Sequence, residues 1–434
     1  MLLSIINWED LNSADQATVL RRPAVAADQD IRDKVAGMIA EVKRGGDDAL
    51  RAMTRQFDGA EIDSFRVSEA EIAEAAHQLT HEAIEAIDLA IANVRRFHEV
   101  QLAQPIAVDT MPGVRCERIS HPIDSVGLYV PAGTAPLPST AIMLAVPAVI
   151  AACPVRVLCT PPRPDGTADP AVLVAATRAG VTDIFKVGGA QAIAAMAYGT
   201  ASIPKVRKVF GPGNAWVTSA KSLVSADPEG AAIDMPAGPS EVLVIADAKA
   251  SAAFVAADLL SQAEHGEDSQ VMLVTTSPDM ATAVQAEVEA QLPNLARAEI
   301  AAGAMANSRA ILVGNLAKAI DVSNRYAPEH LILQVESPRG LLPAIRNAGS
   351  VFLGPWTPEA VGDYCSGTNH VLPTYGYAST YSGLGVDQFQ RQMTLQELTR
   401  EGLAGLGGAV VTLANLEGLD GHAAAVTRRL GALR

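Results

Sequence analysis

Strand and helix patterns alternate through the middle of this sequence, with glycine or proline at the strand ends. That grammar predicts an α/β fold with a parallel, doubly wound sheet. Two further observations agree. Hydrophobic residues make up 49% of the 434 positions, enough to bury a core for two or more domains. Aromatic residues make up only 4%, so the core is aliphatic. Such a core suits helices packed on Val, Ile and Leu strands better than an aromatic-rich sandwich.

The elements follow in order. Residues 1 to about 100 read as helical. Ile31, Val35, Met38, Ile39 and Val42 recur at helical spacing, Gly45-Gly46 closes that helix, and a second long pattern covers 69–101. At Val126 the pattern changes. Val126-Gly127-Leu128-Tyr129-Val130-Pro131 reads as a short strand and Gly133-Thr134-Ala135-Pro136 as a loop. The stretch 141–152 reads as a core helix in spite of Pro147. A second unit has a strand over 155–159, a loop over 161–166 and a helix over 170–179. A third has a strand over 183–187, Gly188-Gly189 and an apolar helix over 190–198. Strands recur at 242–246, 271–275, 310–313, 331–335 and 350–353, with helical segments between most of them. From about 381 the chain returns to helix and loop, too short for a sheet of its own. No fixed-period repeat or low-complexity segment interrupts this order.

Composition excludes several function classes. A formal charge of −15, with no cluster of Lys and Arg, argues against a nucleic-acid partner, which needs a basic face. The residues from Met1 to Asp10 lack the basic region of a signal peptide. The longest apolar stretch, 141–152, falls short of the roughly 20 residues that span a bilayer. Cys116, Cys153, Cys159 and Cys365 form no CxxC pair and no disulfide framework. A cytoplasmic enzyme with no membrane association is the expectation.

Three constellations carry candidate chemistry. In Ser261-Gln262-Ala263-Glu264-His265-Gly266, the amide and the imidazole are three apart and share a helical face, with Gly266 ending the helix. Taken alone this is a capped surface helix. With Asp363, in a Gly-rich loop, and His422, near the C-terminus, it becomes a plausible borderline-hard zinc site, although spacing does not unite the four. In Tyr326-Ala327-Pro328-Glu329-His330-Leu331, a carboxylate adjoins an imidazole just before a strand. An imidazole near its ordinary pKa of about 6.5 suits a general base, and a turn with a solvated Glu is the plainer alternative. In Phe210-Gly211-Pro212-Gly213-Asn214, a glycine-rich turn enters a helix, a setting that favours an anion such as a pyrophosphate. There is no GxGxxG, so the turn alone is a weak dinucleotide signal. The rigid loop Asp234-Met235-Pro236-Ala237-Gly238-Pro239-Ser240 could hold Ser240 in place, or simply connect. No cysteine has an evident electropositive setting, which argues against a thiolate nucleophile.

Together these segments resemble the histidinol dehydrogenase family over nearly the whole chain. The likeness rests on VGLYVPAGTAPLPST (126–140), KVGGAQAIAAMAYGT (186–200), KVFGPGN (208–214), DMPAGPSEVLVIAD (234–247), DLLSQAEHGEDSQ (258–270), NRYAPEHL (324–331), GDYCSGTNHVLPT (362–374) and LEGLDGHAAAV (416–426). The resemblance implies one Zn2+ per subunit on Gln262, His265, Asp363 and His422. It implies His330 as the general base and Glu329 as its partner in activating water. Ser240 and Glu417 would hold substrate along with His330 and the metal ligands, and Tyr129, Gln191 and Asn214 would contact NAD. It also implies a homodimer in which the C-terminal segment reaches the neighbouring site. The implied fold is two incomplete Rossmann-like domains with parallel sheets and small N- and C-terminal helical additions. Residues 1–26 form an extension, 27–128 with 241–380 the zinc and substrate side, 129–240 the NAD side, and 381–434 the dimer-reaching segment. Zinc is redox-silent, so NAD takes the electrons in this reading. The competing readings are a related dehydrogenase of another small diol, such as a sulfonated propanediol, a zinc hydrolase, and a non-catalytic nucleotide-binding scaffold.

Overall fold

A computed structural model describes residues 3–23, 29–132, 135–236 and 238–432. The first strand, β1 (Ser4–Asn7), lies far from its sheet partners in sequence and precedes a helical stretch. The helix Gln29–Phe57 is interrupted at Gly46, whose φ of +53° is left-handed, and a second helical run starts at once where the sequence reading had the helix end. The expected pattern over 69–101 is two helices, Glu69–His77 and His81–Glu99. They separate because Thr80 turns its hydroxyl onto the Ala83 N–H and caps a new helix.

Two strands that the helical reading of the first part did not extend to follow, β2 (Ile106–Met111) and β3 (Val114–Pro122). The alternation then begins: β4 (Ser125–Tyr129), β5 (Val155–Thr160), β6 (Asp183–Lys186), β7 (Lys208–Phe210) and the short β8 (Ala232–Ile233). The second series is β9 (Glu241–Ala246), β10 (Gln270–Thr275), β11 (Arg309–Leu312), β12 (His330–Gln334) and β13 (Ser350–Leu353). Each predicted strand of the two series falls within a residue or two of its observed bounds. The core helix is Pro138–Ile150, with Pro147 inside it. Gly133 and Thr134 of the predicted loop lie outside the described residues, as does Ala237.

The parallel α/β expectation holds. One sheet has the order β6-β5-β4-β7-β8 and is parallel throughout. The other has the order β1-β11-β10-β9-β12-β13, also parallel throughout. Leaving out β1, both read 3-2-1-4-5 in their own local count, the order of doubly wound nucleotide-binding folds. Strands buried on both faces explain the continuous apolar runs: every residue of β9 and of β10 is buried. The helices between 29 and 99 pack on the five-stranded sheet, whose core clusters include Val35, Leu50, Ile87 and Val94. Much of the segment 27–128 therefore lies against the half that the sequence reading assigned to NAD.

The tail departs from expectation. Gln390–Leu398 is a strand, β14, antiparallel to β3 in a small sheet of order β14-β3-β2. The helices Arg400–Leu416 and Asp420–Gly431 follow as a hairpin. The tail finds its sheet by pairing with residues nearly three hundred positions upstream, which a local reading cannot supply.

Candidate active site

The two sheets meet through one segment. The chain leaves β8 at the carboxyl edge of the five-stranded sheet and enters β9 at the amino edge of the six-stranded sheet. Residues 234–240 can span at most about 25 Å, so these two edges border the same region. A cavity of about 720 Å³ opens along this segment, lined by Gly213, Ala215, Asp234, Met235, Gly238 and Tyr375 among others.

On the five-stranded side, Tyr129 ends β4, Asn214 follows β7, and Gln191 sits in the first turn of the helix after β6. Since β4 and β7 are neighbours, Tyr129 and Asn214 flank the point where strand order reverses, the usual ligand crevice of such sheets. The buried Tyr129 hydroxyl accepts the Gly189 N–H at 3.0 Å. The Asn214 side chain accepts from the Trp216 and Val217 N–H groups at 3.1 and 3.2 Å and caps its helix. Gly211 closes the gap between the strands. Its φ is +123°, and a Cβ there would lie 2.2 Å from the Tyr129 carbonyl oxygen, so only glycine fits. Buried Lys221 pins this turn by donating to the Gly211 carbonyl at 2.8 Å while paired with Asp234, which in turn accepts the Gly211 N–H at 2.8 Å.

On the six-stranded side the candidate residues gather at the amino ends of β9 and β12. Glu329 and His330 open β12 and are both buried. Glu329 accepts the backbone N–H of Glu241, next to Ser240, at 3.0 Å. Arg22 holds the Glu241 side chain at 2.5 and 2.9 Å, so this strand start is anchored. His330 Nδ1 lies 3.2 Å from the Glu241 carbonyl and 3.6 Å from Glu329. His330 Nε2 faces Asp363 at 3.6 Å and makes no hydrogen bond among the described residues. Gln262 is near the end of the helix Ala252–Ala263, and its C-cap is Glu264. His265 therefore lies in the turn beyond the helix, tied back by its N–H to the Gln262 carbonyl at 3.3 Å, rather than on the helical face expected from its spacing. Glycine at 266 does not end the helix, which has already stopped.

Two residues in this region were not singled out in the sequence. Glu359 opens the helix Glu359–Tyr364 that carries Asp363, and it is 1% exposed. His265, Glu359 and Asp363 each offer a ligand atom within 4.8 Å of the others. His370 is the second; its Nε2 is buried and has no hydrogen-bond partner among the described residues. Both lie in or beside the 362–374 motif, but neither shows a spacing that marks it.

The electrostatics are those of a site crowded with acceptors. Burial, only partly offset by His330 and the Glu241 N–H, pushes Glu329 up to about 8. Burial likewise pushes Glu359 up to about 8. Burial disfavours the His330 imidazolium, but Glu329, Glu359 and Asp363 outweigh it and raise the ring to about 10. Against its own burial, Asp363 is held below the usual carboxylate range by His330. One end of the Gln262 amide lies 2.7 and 3.0 Å from the Glu359 oxygens, satisfied only if that end is the NH2 group. The same end is 3.1 Å from His330 Nδ1, which therefore either accepts from the amide or donates to the Glu241 carbonyl, depending on its proton. Two buried carboxyl groups, the half-buried Asp363, unpaired ring nitrogens and an amide oxygen are the donor set that a divalent cation satisfies.

Glu417 and His422 are elsewhere. They sit on the exposed C-terminal hairpin, and no hydrogen bond or ion pair among the described residues joins either to this cluster. Ser240 stands one residue from the Glu241–Glu329 contact.

Known proteins match this chain along nearly its whole length. The family model described as histidinol dehydrogenase matches residues 20–430. The chain belongs to the histidinol dehydrogenase family. It is 56% identical to the histidinol dehydrogenase of Xanthomonas axonopodis pv. citri (strain 306) over 429 residues, 99% of each chain. It is 54% identical to that of Aliivibrio fischeri (strain ATCC 700601 / ES114), covering 98% of this chain and 95% of the relative. The crystal structure of histidinol dehydrogenase from Elizabethkingia anophelis superposes with a TM-score of 0.96 at 44% identity, over 100% of this chain and 99% of that one. The family places this chain among oxidoreductases. Among the described residues, no helix is long and apolar enough to cross a membrane.

Proposed function

We propose that this chain oxidises L-histidinol through L-histidinal to L-histidine with NAD, the step of histidine biosynthesis that the relatives' name implies. The observation that carries this reading is the buried Glu329-His330 pair beside the acceptor cluster of His265, Glu359 and Asp363, at an edge facing the strand-reversal point of the other sheet. Gln262, His265 and Asp363 would hold Zn2+ together with the partner subunit's His422. When bound, zinc would orient the substrate's imidazole and amine and offset the negative field of the surrounding carboxylates. NAD, on Tyr129, Gln191 and Asn214, would supply the hydride acceptor.

The chain's own groups then divide the work. A cation held among Glu359 and Asp363 would offset the carboxylates that raise His330 and so favour its neutral ring. With its Nδ1 proton on the Glu241 carbonyl, His330 would then present the Nε2 lone pair to the site and take the substrate hydroxyl proton. Glu329, buried and held by the Glu241 N–H, withdraws a proton from water as it adds to the aldehyde. Ser240 and the partner's Glu417 would position the substrate and help keep the aldehyde from leaving between the two oxidations.

A homodimer with shared sites completes this reading. Exposed apolar residues cluster on the small sheet and the terminal hairpin: Ile106, Val108, Leu395, Leu413 and, at 79% exposed, Leu416. Such a surface asks for cover, and a second copy would bring Glu417 and His422 to a neighbouring cluster. The decisive experiment is steady-state turnover of L-histidinol with and without a chelator. About two NADH per histidinol, lost on chelation and restored by zinc, is the expected result. One NADH with free aldehyde accumulating would sink the two-step assignment.

A further inference from the structure

We propose that Glu359 is a positioning residue: its buried carboxylate clamps the Gln262 amide so that the amide oxygen, not the nitrogen, is presented to the metal. The inference rests on the zinc reading above and adds a residue to it.

An amide has one end that only donates and one that only accepts. The end of Gln262 facing Glu359 lies 2.7 and 3.0 Å from the two carboxylate oxygens. With Glu359 ionised, the form a bound divalent cation favours, two oxygens repel at that distance, whereas NH2 against the carboxylate makes charge-assisted hydrogen bonds. Nitrogen therefore belongs at that end, and Oε1 is turned away from Glu359. The clamp is rigid. Gln262 and Glu359 are each 1% exposed. The Ser261 hydroxyl, whose single proton is closest to the Asp258 carbonyl at 2.9 Å, also packs beside Glu359 at 3.4 Å. Without the carboxylate, the amide could rotate by half a turn and offer its NH2 group, which cannot bind a cation.

Glu359 could instead be a ligand itself, since one of its oxygens lies within 4.8 Å of the donor atoms of His265 and Asp363. The two roles differ in how they combine with Gln262. A residue that acts only through Gln262 has nothing to act on once the amide is gone, whereas a direct ligand loses its own share of affinity in any background.

The test is zinc affinity of the full-length protein, read by competition with a chromogenic chelator, for Gln262→Ala, Glu359→Ala, Glu359→Gln and the Gln262→Ala/Glu359→Ala double variant. Glu359→Ala should weaken zinc binding by roughly 10–100-fold, the usual cost of losing a group that orients a ligand. The double variant should bind no more weakly than Gln262→Ala alone. Glu359→Gln keeps an acceptor oxygen for the Gln262 NH2 group and should recover most of the affinity, and as a near-isosteric change it guards against misfolding of the alanine variant. If the losses in the double variant multiply, Glu359 is a ligand and the positioning role is overturned. Unchanged affinity in folded Glu359→Ala overturns it as well. If the unmodified protein binds no zinc, the zinc reading has failed, a result separate from these.

Discussion

The two parallel sheets of this protein share one strand order and use it at opposite ends. In the five-stranded sheet, two of the candidate NAD residues, Tyr129 and Asn214, sit at the carboxyl ends of β4 and β7, the first and fourth strands in local order. In the six-stranded sheet, Glu329, His330 and Ser240 sit at the amino ends of β9 and β12, again the first and fourth. The carboxyl ends of β9 and β12 are closed instead. There Asp247 accepts the Lys249 and Glu336 N–H groups at 2.9 and 2.8 Å, so its carboxylate is spent on the loops. The same topology can thus yield a ligand crevice or a structural seam, and local side chains decide which. The connecting segment 234–240 makes the unusual choice useful, because it brings a carboxyl edge against an amino edge. In the proposed reaction, a hydride acceptor on one sheet and a proton acceptor on the other would then address one substrate.

The sharpest way to break this comparison is to remove the base from the amino edge. His330→Asn keeps the size of the ring's near half but loses the proton acceptor that both oxidations need. Both half-reactions should slow by roughly 10²–10⁴-fold, measured separately with histidinol and histidinal as substrates. Glu329→Gln should spare alcohol oxidation more than aldehyde oxidation, because only the second needs an added water. Equal losses in both steps would refute the division of labour between these neighbours.

This contrast between edges also shows what could be read from the chain. The strands of both sheets were legible because β9, β10 and β12 are buried along their whole length, and continuous apolar runs leave little choice. The small sheet was not, because β14 reads Gln390-Arg391-Gln392-Met393-Thr394-Leu395-Gln396-Glu397-Leu398 and is exposed along nearly all of it. A strand that buries neither face leaves no periodic signal. At the site, His330 and Glu329 stood out as adjacent titratable groups, and Gln262 as part of a motif. Glu359 did not, since a Glu at the start of a helix is the ordinary choice for the helix dipole, and only the fold shows that it is buried against an amide.

Subunit mixing tests whether the amino edge is complete within one chain. His265→Ala and His422→Ala should each be inactive as homodimers. In a mixed dimer with shared sites, both lesions fall in one site and leave the other whole, so about half of normal activity should return. Sites built within a single chain would carry one lesion each, and demonstrably mixed dimers would stay silent.

The carboxyl edge can be tested with a smaller change. Gly211→Ala puts a methyl group against the Tyr129 carbonyl and an L side chain at a φ of +123°. Roughly 1–3 kcal/mol of strain should appear as lost thermal stability. The splayed ends of β4 and β7 should raise the KM for NAD more than the KM for histidinol. An equal rise in both, or none, would detach Gly211 from the cofactor side.

The smallest effect is expected from the thiols, which the comparison leaves without a task. Cys153 and Cys159 border and form part of β5, on the other sheet from the base, and are fully buried. Burial pushes the Cys153 thiol up to about 11 and raises Cys159 further in the same direction, so at neutral pH neither supplies the thiolate that covalent aldehyde oxidation would need. Cys365 is nearer the cluster, two residues beyond Asp363, and its carbonyl is held by the Asn93 amide at 2.9 Å. Cys116 lies on β3, in the small outer sheet. Each single Cys→Ser variant should therefore keep its turnover of histidinal, while the two in the core lose some thermal stability because a hydroxyl is buried in an apolar setting. The measurement is the rate of histidinal oxidation beside a melting curve. A variant that melts normally yet no longer oxidises the aldehyde would place a thiohemiacetal on that sulfur and move part of the chemistry away from Glu329 and His330.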